Sequence, residues 1–235
     1  MKFLIQTIDR KIKHDFSFTL IQSIEYHNWL NNDKGIKYAL TDCDLKKDYT
    51  PVGSIEFVHS YLEKYFGVTP TPINIPEELL ERSYTQRNVF NGTNADISGC
   101  KFIKSNDKIK SFTGIINTNE IDFVPNSIPI GNYQISEVID IQSEYRCFIY
   151  QNQLVGVQYY SGDFTVFPKI ESILWMIKAY EKSAPIAYTL DVGVNSSGTF
   201  IIECHRLYST GLYGFSDLKL LVYMFNRAYL EIKKM

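Results

Sequence analysis

Three prolines fall within eight residues at Thr69-Pro-Thr-Pro-Ile-Asn-Ile-Pro76. No helix interior and no central strand tolerates that density, because each proline fixes φ and removes a backbone donor. The run is therefore an extended connection, and it divides the 235 residues into 1–75 and 76–235. A domain holds about 150 residues as a rule, so a chain of this length is one large domain or two small ones. With 45% hydrophobic and 21% charged residues, the chain is globular rather than disordered. It should bury roughly 70% of its unfolded surface without a disulfide or metal staple.

Before the proline run the pattern alternates between strand and helix. Phe3-Leu4-Ile5 is an apolar run of strand length, Phe16 to Leu30 carries apolar residues at helical spacings, and Tyr38-Ala39-Leu40 is a second strand. Ser54 is placed as the N-cap of a helix through Tyr65 that Gly67 closes. After the run, Pro76-Glu77-Glu78 resembles a helix start. Strands then come in pairs: Lys101–Lys104 with Ser111–Ile116, Tyr145–Tyr150 with Leu154–Tyr160, and Ala187–Val194 with Thr199–Cys204. Helices are expected over Ile170–Tyr180 and Ser216–Ile232. An αβ start followed by antiparallel strands with covering helices makes an α+β protein of more than one layer.

Cys43, Cys100, Cys147 and Cys204 form no C-x-x-C pair, so they read as small buried hydrophobes in a reducing compartment. Charged residues follow Met1–Gln6 at once, which excludes a signal-peptide core. No stretch nears the ~18 apolar residues of a membrane span. A cytoplasmic protein without a membrane partner is expected. Its 24 basic against 26 acidic residues give a net charge of −2, which excludes polyanion binding by bulk charge and makes nucleic acid an improbable partner.

The chemistry concentrates in the last strand pair. Glu203 and His205 are two apart and share a strand face. Asp191 precedes Glu203 by twelve residues, and a hairpin reversing at Asn195-Ser-Ser-Gly198 brings it opposite or nearly so. Two carboxylates and a third donor on one face repel unless a cation lies between them. Hard oxygens favour Mg²⁺, and an imidazole among them moves the preference toward Mn²⁺ or a transition ion.

Asp191, Glu203 and a ligand two further on resemble the metal-binding arrangement of ATP-grasp enzymes, in which the last position is normally Asn. Ser143-Glu-Tyr-Arg-Cys-Phe-Ile149 resembles their acid-x-Arg-x-Phe-Val strand, Ser136-Glu-Val-Ile139 their adenine hinge, and Lys101-Phe-Ile-Lys104 the strand whose lysine reaches phosphate. Pro51-Val-Gly-Ser54, Lys110-Ser-Phe-Thr-Gly114, Tyr160-Ser-Gly-Asp163 and Gly211-Leu-Tyr-Gly214 look like the R2K clade of predicted amine or peptide ligases.

The resemblance implies an ATP-grasp fold, with two α+β subdomains (about 76–135 and 136–235) gripping ATP between antiparallel sheets behind a small N-terminal αβ domain, 1–75. It implies an ATP- and Mg²⁺-dependent carboxylate–amine ligase acting on small-molecule, peptide or protein substrates. Arg146 and Lys104 become catalytic residues on the transferring phosphoryl group. Lys104, Lys110, Glu137, Val138, Glu144 and Arg146 become ATP-binding, with Glu137 and Val138 on adenine and Glu144 on ribose. Asp191, Glu203 and His205 become metal ligands, and Arg87 a further phosphate contact or a surface arginine. Lys101 to Lys110 is lysine-rich and reads equally as a solvated hairpin. His205 in place of Asn keeps a second reading open, a nucleotide-binding or interaction module without catalysis.

Overall fold

The computed structural model describes residues 1–32, 35–93, 96–97, 101–106, 115–117 and 130–235. Lys110, Cys100 and the stretch 110–114 lie outside the described residues.

The N-terminal third is β1 (Lys2–Gln6), α1 (Asp15–Leu30), β2 (Lys37–Thr41), β3 (Thr50–Val52) and α2 (Ile55–Phe66), with a parallel sheet in the order β2-β1-β3. Phe3, Leu4 and Ile5 of the central strand are all buried, as a parallel strand covered on both faces requires. Leu4 packs with Phe57, Val58, Tyr61 and Leu62 of α2, while Phe3 and Ile5 pack with Phe16, Leu20 and Ile24 of α1. The Ser54 hydroxyl accepts from the Phe57 N–H at 3.3 Å, and Gly67 ends α2 at φ 67°. The short β3 contains Pro51, tolerated because β3 is an edge.

The expected helix at Pro76 is one 3₁₀ turn, Glu77–Leu79, followed by the brief α3 (Arg82–Thr85). Next come β4 (Val89–Thr93), β5 (Lys101–Ser105), β6 (Ile115–Asn117) and β7 (Asn132–Glu137), an antiparallel sheet in the order β4-β7-β5-β6. The second antiparallel sheet runs β11-β10-β8-β9 and is formed by β8 (Ser143–Tyr150), β9 (Gln153–Gly162), β10 (Ala187–Asn195) and β11 (Gly198–Arg206). Helix α4 (Ile170–Tyr180) covers one face, burying Ile173, Met176 and Ile177 against Cys147, Ile149, Leu190 and Ile201.

Helix α5 (Leu221–Ile232) starts five residues later than Ser216, because Asp217 Oδ1 accepts from the Lys219 and Leu220 N–H groups and holds a turn there. Leu221, Val222 and Phe225 of α5 join Phe3, Ile5, Phe16 and Leu20 in one core that also holds Phe148 and Leu207. The Ser23 hydroxyl donates to the Leu218 carbonyl at 2.6 Å, tying α1 to the entry of α5. Cys147 and Cys204 are buried as expected, but Cys43 is exposed. It lies just past the end of β2, where no second layer covers it. Among the described residues no helix is long and apolar enough to cross a membrane.

The proline run does more than connect. The Cys204 N–H donates to the Asn74 carbonyl at 2.7 Å, the Asn74 Nδ2 donates to Asn106 Oδ1 at 2.6 Å, and the Ile75 N–H donates to Gln134 Oε1 at 3.2 Å. The linker is thus wedged between the edge of β11 and the β5–β7 sheet.

Candidate active site

Register builds the site. Asp191 on β10 pairs with Glu203 on β11 and with Arg146 on β8, so three charged side chains form a row across three strands. His205 lies two residues past Glu203 on the same face. One donor atom from each of Asp191, Glu203 and His205 lies within 4.8 Å of the others. Asp191 is only 1% exposed, and a buried carboxylate demands a partner. Arg146 supplies it: Nε donates to Asp191 Oδ1 at 2.8 Å and Nη2 to Oδ2 at 2.7 Å. His205 Nε2 lies 3.2 Å from Glu203 Oε1 and 3.8 Å from Asp191 Oδ2.

Lys104 arrives from the other sheet. Its Nζ sits 2.6 Å from Glu203 Oε2, so the β5 and β11 faces meet across this contact. Lys104 is 8% exposed and lies 5.7 Å from the Phe102 ring on its own strand face.

Arg146 is braced further. Its Nη1 donates to the Gly211 carbonyl at 3.1 Å, and its guanidinium lies 4.9 Å from the Tyr213 ring, which stacks on Tyr160. Burial opposes its charge, yet the hydrogen bonds and attraction of Asp191 raise its pKa above the ordinary value. The turn that presents Gly211 and Tyr213 is held by Asp15 at the start of α1, whose Oδ2 accepts the Leu212 N–H at 2.7 Å and the Tyr213 N–H at 3.3 Å. Glu144 sits beside this group and accepts from the Tyr160 hydroxyl at 2.8 Å rather than pairing with Arg146. Burial, then the charges of Asp191 and Glu144, push the Tyr160 pKa well up.

Arg87 is not a surface arginine. It is 7% exposed, its Nη1 donates to the Thr85 and Ile201 carbonyls at 2.9 and 3.0 Å, and its guanidinium lies 5.6 Å from the Phe200 ring. Phe200 pairs with Gly193, two residues from Asp191, so Arg87 overlies the same sheet face. Burial lowers its pKa to about 10.

Glu137 and Val138 stand apart from the cluster. Lys101 pairs with Glu137, three steps along the ladder from Lys104, or about 10 Å. The Glu137 N–H donates to the Asn88 carbonyl at 3.1 Å, and its carboxylate accepts from the Asn88 N–H at 3.0 Å and from Nδ2 at 2.8 Å. Those bonds lower its pKa. Val138 is 45% exposed. Asp163 Oδ1 accepts from the Thr165 N–H and hydroxyl, closing a turn.

Beside the charged row opens a cleft of about 290 Å³. Thr71–Ile73 of the linker, Ile55 at the start of α2, and Glu203, His205 and Tyr208–Gly211 line it. The Tyr208 hydroxyl pairs with His59 Nε2 at 3.0 Å, and burial pushes its pKa up to about 12. Sequence reasoning assigns no role to Asp15 or Asn74, since Asp15 holds a turn 197 residues away and Asn74 reaches Asn106, 32 residues on, and the more distant Cys204. Chemically, two carboxylates and an imidazole converging this closely fit a divalent cation, with Lys104, Arg146 and Arg87 supplying positive charge for a polyanion.

Known proteins share this fold. A family model described as an ATP-grasp domain, R2K clade family 2, matches residues 84–222. Similar solved structures include a D-alanine–D-alanine ligase from Bacillus anthracis, at 13% identity and a TM-score of 0.55, covering 99% of this chain and 98% of that one. The same ligase has been solved in complex with ATP, at a TM-score of 0.54. The macrocyclase MdnC from Microcystis aeruginosa, bound with its precursor peptide, aligns at 11% identity and a TM-score of 0.55 over 96% of this chain and 100% of that one. D-cycloserine synthetase DcsG aligns at 10% identity and a TM-score of 0.56, over 97% and 100%. No curated protein matches the sequence.

Proposed function

The chain belongs to family 2 of the R2K clade of ATP-grasp domains, and on that footing we propose that it is an ATP-dependent carboxylate–amine ligase. The observation that carries the reading is the meeting of Lys104 from one sheet with the Arg146–Asp191–Glu203–His205 row of the other. That meeting point is where the tail of a nucleotide held between the sheets would lie.

In this reading a substrate carboxylate oxygen attacks the γ-phosphorus of ATP and ADP leaves. An amine nitrogen then attacks the acyl carbon of the acyl-phosphate, loses a proton, and expels phosphate to form an amide or peptide bond. Asp191, Glu203 and His205 would hold Mg²⁺ or Mn²⁺; when bound, such an ion neutralises charge on the phosphate oxygens. Arg146 fixes the Asp191 carboxylate through a planar two-point contact that lysine cannot reproduce. It keeps N–H groups beyond those two for the transferring phosphoryl group. Lys104 exchanges Glu203 for a phosphate oxygen as the nucleotide enters.

Arg87 serves the more distant phosphates, and Lys110 is assigned to phosphate from the sequence alone. Glu137 and Val138 would offer backbone to adenine, and Glu144 would accept from ribose. The cleft lined by Thr71 and Tyr208 takes the carboxylate and amine substrates, whether small molecules, peptides or protein termini. One similar structure is complexed with ATP and another is bound with a precursor peptide, which supports these two classes of ligand. A cytoplasmic setting, where ATP is supplied, fits the reaction.

The test is direct. Incubated with ATP, Mg²⁺ and pooled amino acids or short peptides, the protein should release ADP and phosphate in amounts that depend on an acceptor pair; release of AMP excludes the mechanism. One observation favours a second reading, a nucleotide-binding module without catalysis: Lys104 and Arg146 already neutralise Glu203 and Asp191. Thermal stabilisation by ATP with no ADP release under any acceptor would support it.

A further inference from the structure

The geometry points to Asn74 as a positioning residue for the proposed reaction, the clasp that sets the spacing between Lys104 and the Glu203–His205 ligand pair. Asn74 is 1% exposed and holds a left-handed backbone, φ 54°. Asparagine tolerates that region better than most residues, but a merely connecting linker has no need to bury an amide there. Its carbonyl accepts from the N–H of Cys204, the residue between Glu203 and His205.

Its side chain faces the other sheet. Nδ2 donates to Asn106 Oδ1 at 2.6 Å and reaches the Ser105 carbonyl at 3.5 Å, two residues and one residue past Lys104. The next linker residue completes the tie: the Ile75 N–H donates to Gln134 Oε1 at 3.2 Å and the Ile75 carbonyl accepts from Gln134 Nε2 at 3.3 Å. Gln134 is the ladder partner of Lys104. One dipeptide therefore grips β11 between the two ligands and β5–β7 beside the lysine. The bonds to Gln134 and the Ser105 carbonyl are buried and the one to Asn106 is half-buried, so they resist breaking more than exposed ones would. A gap that must admit a metal-bound phosphate tolerates little play, since a misplacement near 1 Å can cost about a hundredfold in rate.

This role rests on the ligase reading, and Asn74→Gly tests it. Glycine accepts the positive φ and keeps the carbonyl bond to Cys204, so only the Nδ2 clasp is lost. The full chain would be compared with wild type in three measurements: thermal midpoint without ligand, the extra stabilisation that Mg²⁺ adds to that by ATP alone, and kcat against KM for ATP and amine. The expected result is a midpoint lower by a few degrees, the Mg²⁺-dependent stabilisation reduced by half or more, and kcat down about tenfold or further with the amine KM within twofold. Unchanged kcat and Mg²⁺-dependent stabilisation in an active background overturn the role alone. Activity lost only in proportion to the unfolded fraction also overturns it, as that is what a structural tether would give. A wild-type chain that neither is stabilised by ATP nor consumes it overturns the ligase reading, and this role with it.

Discussion

Glu203→Gln is expected to lower ADP release by a factor of about 10²–10³ or more, the cost of deleting one well-placed electrostatic group from a charge-stabilising site. Glutamine preserves the volume and one carbonyl oxygen. It removes the charge that Lys104 contacts at 2.6 Å and that His205 contacts at 3.2 Å. The fold should survive, because Lys104 and His205 then face a neutral acceptor rather than a void. The Mg²⁺-dependent part of the stabilisation by ATP should vanish in the same variant. Full turnover in Glu203→Gln would refute the metal site and, with it, the ligase reading.

The second large effect is on stability. Arg146→Ala strips the buried Asp191 of both its guanidinium bonds, and removing one partner of a buried ion pair costs about 3–5 kcal/mol. The same change removes the anchor of the Gly211 carbonyl and the cation against Tyr213. A urea titration should show the midpoint falling sharply with an unchanged slope. Arg146→Lys should recover only part of the loss, since a single ammonium cannot bind both oxygens of Asp191 in parallel. An Arg146→Ala protein as stable as wild type would mean that Asp191 has another partner and that the row is not held as described.

The parts of the fold that were legible in the sequence are those decided within a few residues. The hairpin of β10 and β11 turns at Asn195-Ser-Ser-Gly198, so counting brings Asp191 to within one residue of Glu203; the register shift between Asp191 and Val192, which no local signal marks, completes the pairing. Ser54 and Gly67 mark the ends of α2 because capping is local chemistry. What joins distant segments was beyond reach. The sequence reading put Arg146 on phosphate, but nothing local tells that its fork lies on Asp191, 45 residues on. Lys104 meets Glu203 only because two separate sheets face each other. Asp15 reaches a turn 197 residues away, and the proline run, legible as a connection, gave no hint of being a wedge. Cys43 is exposed against expectation because burial depends on the layer above it, which composition does not reveal.

The shared core of α1, β1 and α5 has a consequence for biosynthesis. Phe3 and Ile5 need Leu221 and Phe225 to complete their cover, so β1 stays partly bare on the ribosome until α5 has emerged. Chaperone engagement is then expected to last through most of translation. Ribosome-stalled chains halted before residue 215 should be cut readily by protease within 1–66, whereas chains extended well past Ile232 should resist; early resistance would show that the first sheet matures alone.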